Sequence, residues 1–166
     1  MHHLKIIPAA AAQLREIELL ARRIWPGAYG KILSREQIDY MLERMYAPEI
    51  LLAEYRNGTC FDFLMRENQA IGFIAYGPPD AGRIMKLHKL YLLPEHHGRG
   101  FGAAALRHVI AQGRKLGCRA VILTVNKRNA RALKSYQGNG FKIIDQVVTP
   151  FGNGFVMDDY IMCHDL

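Results

Sequence analysis

His97-Gly98-Arg99-Gly100-Phe101-Gly102 is the stretch that decides how this chain of 166 residues folds. It stands between an apolar run closed by Pro94 and an amphipathic stretch over 100–116. Glycines let the backbone turn sharply and approach a ligand closely. A helix that starts here presents unpaired N–H groups and the positive end of its dipole. Together these features make an anion site suited to a pyrophosphate. A nucleoside-triphosphate loop would need a Gly-Lys-Ser/Thr ending, which is absent. The dinucleotide fingerprint matches formally as Gly98-x-Gly100-x-x-Ala103. It also needs an acid about 20 residues further on to hold a ribose hydroxyl. No Asp or Glu occurs between Glu95 and Asp145.

Outward from this loop the pattern is regular. On the N-terminal side, residues 83–93 read as a strand, preceded by a turn at 78–82 and by strands over 59–65 and 70–76 that meet at Glu67-Asn68. Before them come a strand over 4–7 and a helix over 9–24, broken by Trp25-Pro26-Gly27. Ser34 then caps a second helix, with Gln37 completing a capping box, and Pro48 opens a third that Asn57-Gly58 ends. On the C-terminal side, the helix over 100–116 stops at Gly117. A buried strand over 120–125 and a helix over 129–137 follow. Two strands, 141–148 and 155–163, are expected to be joined by a loop over 149–154. Such an order predicts one α/β domain over residues 1–166, a mixed sheet with helices on its faces.

The apolar half of the composition excludes a disordered chain. No apolar run approaches the ~18 residues of a membrane span, and no signal peptide is visible. Cys60, Cys118 and Cys163 are odd in number and lack metal spacing, which points to a reduced, cytoplasmic setting and no structural role beyond packing. His96, His97 and His108 have no ligand spacing either, so no metal is expected. The net charge of +7 is segregated. Residues 1–83 are balanced, residues 84–142 hold twelve basic side chains against Glu95, and residues 143–166 hold four acids and no Lys or Arg. A basic middle attracts a polyanion, either nucleic acid or a phosphorylated cofactor.

Two blocks resemble the GNAT superfamily of acetyl-CoA-dependent N-acetyltransferases. The first is Leu90-Tyr91-Leu92-Leu93-Pro94-Glu95-His96-His97-Gly98-Arg99-Gly100-Phe101-Gly102, similar to the family's strand-4 and pyrophosphate-loop signature, with His97 where Gln or Arg is usual. The second is Leu123-Thr124-Val125-Asn126 followed by Asn129-Ala130-Arg131-Ala132-Leu133-Lys134-Ser135-Tyr136-Gln137-Gly138-Asn139-Gly140-Phe141. It resembles the N-x-x-A-x-x-x-Y-x-x-x-G-F pattern. The helix after Ser34 and the ending Gly152-Asn153-Gly154-Phe155-Val156-Met157-Asp158-Asp159-Tyr160 resemble the PaiA-like branch, implicated in polyamine N-acetylation.

The resemblance implies a single sheet of about seven strands whose two central parallel strands splay apart. It places the pantetheine arm of acetyl-CoA in that gap, against Leu90, Tyr91 and Leu92. The pyrophosphate falls on main-chain N–H groups of His97, Gly98, Arg99, Gly100, Phe101, Gly102 and Ala103. Asn126 and Asn129 are cofactor contacts, and Arg99, Lys127, Arg128 and Arg131 are candidates to face the adenosine phosphates. Acetyl transfer needs a neutral amine, an oxyanion donor and a proton for the leaving thiolate. The resemblance assigns these to the Leu92 N–H as donor and Tyr136 as general acid. Asn129 and Tyr136 are seven residues apart, two helical turns, and share a face.

Relatives often carry a glutamate where Lys86, His88 and Thr124 stand here, so the base stays open. A small cationic amine is the expected acceptor, met by Asp158 and Asp159 with Glu43, Glu54 or Asp62, and by His88. A homodimer is a further expectation for a small domain of this kind. Two rivals come from other classes. One is a nucleic-acid-binding regulator using the basic middle, although no helix-turn-helix or other reading module is visible. The other is a non-catalytic CoA-binding domain, against which the retention of Tyr136 speaks.

Overall fold

The computed structural model describes residues 3–166. Met1 and His2, which the single-domain reading includes, lie outside the described residues. The strands are β1 (Lys5–Pro8), β2 (Cys60–Arg66), β3 (Gln69–Tyr76), β4 (Ile84–Leu92), β5 (Ala120–Asn126), β6 (Lys142–Gly152) and β7 (Phe155–Asp165). The helices are α1 (Leu14–Tyr29), α2 (Arg35–Tyr46), α3 (Pro48–Arg56), α4 (Phe101–Lys115) and α5 (Ala130–Gly138). The strands form one mixed sheet in the order β1-β2-β3-β4-β5-β7-β6, antiparallel except for β4 against β5.

Each face of the sheet buries its own core. On one face, Ile17 and Trp25 of α1 and Tyr46 of α2 pack with Phe61 and Phe73 of the sheet and with Met157 from β7. On the other, Val109 of α4 packs with Leu64, Ile74, Val121 and Met162 of the sheet and with Phe141 after α5. Burying one such side chain fully is worth about 1.5–3 kcal/mol, so these faces fix which side each strand residue shows.

Three elements differ from the sequence reading. α1 does not stop at Trp25 but runs through Pro26 to Tyr29. Pro26 removes one backbone bond and ordinarily breaks a helix. Here Trp25 and Tyr29 are both buried in the core, and the Gly30 N–H closes the next turn on the Pro26 carbonyl at 2.9 Å. Burial of two aromatic rings outweighs the lost bond. The loop expected over 149–154 is mostly strand, with only Asn153-Gly154 left to turn. Pro150 is tolerated because β6 is the edge strand and its register shifts between Pro150 and Gly152. The capping box is half formed. Ser34 Oγ accepts the Gln37 N–H at 3.1 Å, while the Gln37 side chain donates to the Val156 carbonyl at 2.8 Å and so ties α2 to the β6–β7 hairpin.

β4 and β5 pair only from Ile84 to Lys86 against Ala120 to Ile122. Beyond this point the strands part. The register of β4 on β3 also shifts there, with Tyr76 opposite Leu87 and Ala75 opposite Lys89. His88 is therefore the extra residue of a bulge. Bulges bend the strand that carries them, and this one turns the far half of β4 away from β5.

Candidate active site

The parting strands open a cleft of about 330 Å³. Leu90, Tyr91 and Leu92 line one side, Leu123, Thr124 and Val125 the other, and Asn129, Arg131 and Tyr136 the end toward α5. The Leu93 N–H donates to the Ile71 carbonyl of β3 at 2.8 Å. Successive strand residues alternate the direction of their main-chain groups. Those of Leu90 and Leu92 therefore face the cleft rather than β3. The Leu92 carbonyl is already taken, lying 3.0 Å from His97 Nε2; its N–H stays open.

The glycine loop adjoins this cleft. Gly98 and Gly100 have φ of +72° and +79°, a left-handed conformation costing other residues about 1–2 kcal/mol. A Cβ on either would meet nothing within 4 Å, so the backbone and not crowding demands glycine there. Gly100 caps α4. The His97 N–H bonds the Pro94 carbonyl and the Ala104 N–H bonds the Gly100 carbonyl. Between them, no N–H from Gly98 to Ala103 meets an acceptor among the described residues. Six consecutive donors at a helix N-terminus fit a diphosphate. Phe101, the first residue of α4, contributes only its main chain, because its ring is buried in the core.

The basic candidates separate. Lys127 pairs with Asp158 at 2.8 Å. Arg128 donates to the carbonyls of Ile32 at 2.9 Å and Lys31 at 3.4 Å, strapping the loop after α1 to the loop after β5. Arg99 and Arg131 are exposed and form no ion pair among the described residues, and Arg131 borders the cleft. Asn129 caps α5 by accepting the Ala132 N–H at 3.3 Å, and still borders the cleft with Tyr136. Asn126 does not border it. Its Oδ1 accepts the Arg128 N–H at 2.9 Å and its Nδ2 donates to Met157 Sδ, so it shapes the turn before α5.

Tyr136 is held above its ordinary pKa first by burial and then by nearby Tyr29, so its hydroxyl stays protonated. Tyr29 is itself pushed up to about 12 by burial, and its hydroxyl lies 2.9 Å from that of Tyr91. Ile24, Gly27, Ala28 and Tyr29 of α1 also border the cleft. Sequence reasoning missed Gly27, Ala28 and Tyr29 by ending α1 at Ile24. Gly27 comes close to the turn after β4, where a Cβ would stand 3.3 Å from Pro94 Cγ, a contact between distant segments.

The paired carboxylates of β7 are split by strand alternation. Asp158 is exposed on the α4 face with Lys127. Asp159 is buried on the α1 face, and its Oδ1 has no hydrogen-bond partner. Burial, and then the neighbouring Asp158, raise its pKa to about 6. Asp62 lies on the opposite face from Asp159, where its Oδ2 accepts from Tyr76 at 2.8 Å and pairs with His108 at 3.0 Å. Glu43 pairs with Arg22 at the surface. Glu54 pairs with the buried Lys89 at 2.9 Å and lines a second cavity of about 390 Å³, with Asp80 and Lys86. His88 lines both cavities. No group of three or more potential metal ligands occurs among the described residues, and no helix is long and apolar enough to cross a membrane.

With a splayed parallel pair beside a glycine-capped helix, the chain belongs to the acetyltransferase (GNAT) family, which it matches over residues 14–141. It is 39% identical over 84 residues to an uncharacterised N-acetyltransferase of Mycobacterium tuberculosis, a match covering 51% of this chain and 53% of that protein. The chain thus spans about half the length of these curated relatives. It is 29% identical to the spermidine N(1)-acetyltransferase of Thermoplasma acidophilum, covering 84% of this chain and 86% of the relative. Among solved structures, the PaiA N-acetyltransferase of Thermoplasma acidophilum in complex with coenzyme A superimposes with a TM-score of 0.83, at 25% identity and 99% coverage of both chains. A GCN5-related N-acetyltransferase from Rhodopseudomonas palustris shares the fold, with a TM-score of 0.82 at 14% identity, covering 98% of this chain and 95% of that one.

Proposed function

We propose that this protein transfers an acetyl group from acetyl-CoA to a primary amine of a small cationic acceptor, a polyamine such as spermidine. The observation that carries the reading is the unbroken row of main-chain donors from Gly98 to Ala103 beside the open edge of β4. The likeness to a spermidine N(1)-acetyltransferase supports the acceptor.

When bound, acetyl-CoA supplies a thioester carbonyl that a neutral amine can attack. The residues from Gly98 to Ala103 hold the diphosphate, and Arg131 adds charge beside it. The free main-chain groups of Leu90 pair with the pantetheine amide. The Leu92 N–H stabilises the oxygen on which negative charge develops. Tyr136, kept protonated by its buried setting, gives a proton to the departing sulfur. Asp159 attracts the cationic acceptor, because an unpartnered buried carboxylate oxygen gains most from an opposite charge.

The test is a screen of spermidine, diamines, amino acids, aminoglycosides and N-terminal peptides with acetyl-CoA, followed by thiol release. Rapid release with polyamines and none with amino acids is expected. No release with any amine would sink the reading, and a DNA gel shift that acetyl-CoA cannot compete away would replace it with a regulator's role.

A further inference from the structure

We infer that His88, which lines both cavities, is the catalytic base, taking the proton from the acceptor's ammonium through Nδ1. The inference rests on the acetyltransferase reading above. His88 is the extra residue of the β4 bulge, a device that re-aims a side chain beside a site. Its Nε2 lies 3.0 Å from the Gly77 carbonyl. A carbonyl only accepts, so Nε2 must carry hydrogen. In a neutral imidazole this leaves Nδ1 as a bare lone pair. Burial lowers the pKa below the ordinary histidine value; the Gly77 carbonyl contact opposes it in part, while Lys86 and Lys89 add to the lowering and Glu54 opposes it least. The ring is thus neutral, with its acceptor nitrogen fixed by a backbone contact.

The other groups at the cleft are unsuited. Tyr29, Tyr91 and Tyr136 are all held protonated. Lys89 is engaged with Glu54. Asp80 accepts the Ile84 N–H at 2.9 Å and borders only the second cavity. His97 is committed to Leu92 at the cofactor loop. Among the ionisable groups of the described residues, His88 alone lines both cavities.

The protons balance. His88 converts the ammonium to a free amine and becomes imidazolium. The amine nitrogen bonds the acetyl carbon and the carbon–sulfur bond breaks. Tyr136 protonates the sulfur and regains a proton from the new amide nitrogen, directly or through water. The imidazolium releases its proton to solvent, one per turnover.

The experiment compares wild type, His88→Gln and His88→Ala with spermidine and with the weakly basic 2,2,2-trifluoroethylamine from pH 6 to 10. At pH 7 with spermidine, both variants should lose about 10²–10³-fold in kcat/KM, with KM for acetyl-CoA unchanged. The variant rate should rise tenfold per pH unit, closing the gap at high pH, and the deficit should shrink with the weak amine. Imidazole nitrogen NMR should show His88 protonated at Nε2 alone at neutral pH. A variant within twofold of wild type, a loss equal at every pH and for both amines, or hydrogen on Nδ1 in the spectrum overturns the base while leaving the acetyltransferase reading standing. No thiol release by the wild type with either amine overturns both.

Discussion

His97 Nε2 lies 3.0 Å from the main-chain oxygen of Leu92. The residue that opens the glycine loop is thereby fastened to the strand position assigned as oxyanion donor. Burial lowers the His97 pKa, so the ring is neutral and donates from Nε2. Losing a hydrogen bond of this kind costs about 1 kcal/mol. His97→Ala should therefore raise KM for acetyl-CoA about fivefold. His97→Gln, whose amide can donate to the same carbonyl, should restore most of the loss. Steady-state titration of acetyl-CoA at saturating amine checks this, and equal KM values for all three proteins would contradict it.

Tyr136→Phe removes the hydroxyl and leaves the ring, which packs against Phe141 at 5.9 Å. We expect kcat to fall about 10²-fold, within the range of a lost general acid, with little change in melting temperature or in KM. A full rate in this variant would remove Tyr136 from the chemistry.

Asp159 should cost the folded protein stability at neutral pH. Its pKa rises from 3.8 to about 6 on folding, so the native state binds the proton more tightly than the unfolded state. Stability therefore falls as pH rises between these two values. Asp159→Asn should melt higher than wild type at pH 7.5, and the gain should vanish below pH 4. The same variant should weaken polyamine turnover. Melting curves at both pH values, beside amine kinetics, would expose a carboxylate that does neither.

Gly100→Ala tests the loop backbone. A methyl group there meets nothing within 4 Å, but the φ of +79° is costly for alanine. Denaturant unfolding should show a loss of about 1–2 kcal/mol, and calorimetry should show weaker CoA binding. An unchanged affinity would mean that the loop amides do not hold the ligand.

The parts of the site that were legible in the chain are those set by backbone demands. Gly98 and Gly100 must adopt left-handed angles, and the seven-residue spacing of Asn129 and Tyr136 puts both on the cleft. What escaped was settled by packing between distant segments. Trp25 and Tyr29 carry α1 past Pro26 because a core awaits them, and this brings Gly27 to the cleft edge. Alternation alone says that Asp158 and Asp159 part company. Only Met157, buried beneath α1, tells which of them enters the interior. Arg128 reads as one more loose cation until the carbonyls of Lys31 and Ile32 appear beside it.

The short parallel ladder of Ile84–Lys86 on Ala120–Ile122 has a mechanical consequence. Two subassemblies of the molecule are stitched by three rungs and then left ajar, and under the proposed function coenzyme A would be the wedge that completes the seam. Hydrogen exchange along the distal part of β4 should slow when the wedge is seated, and thermal unfolding should shift upward with it.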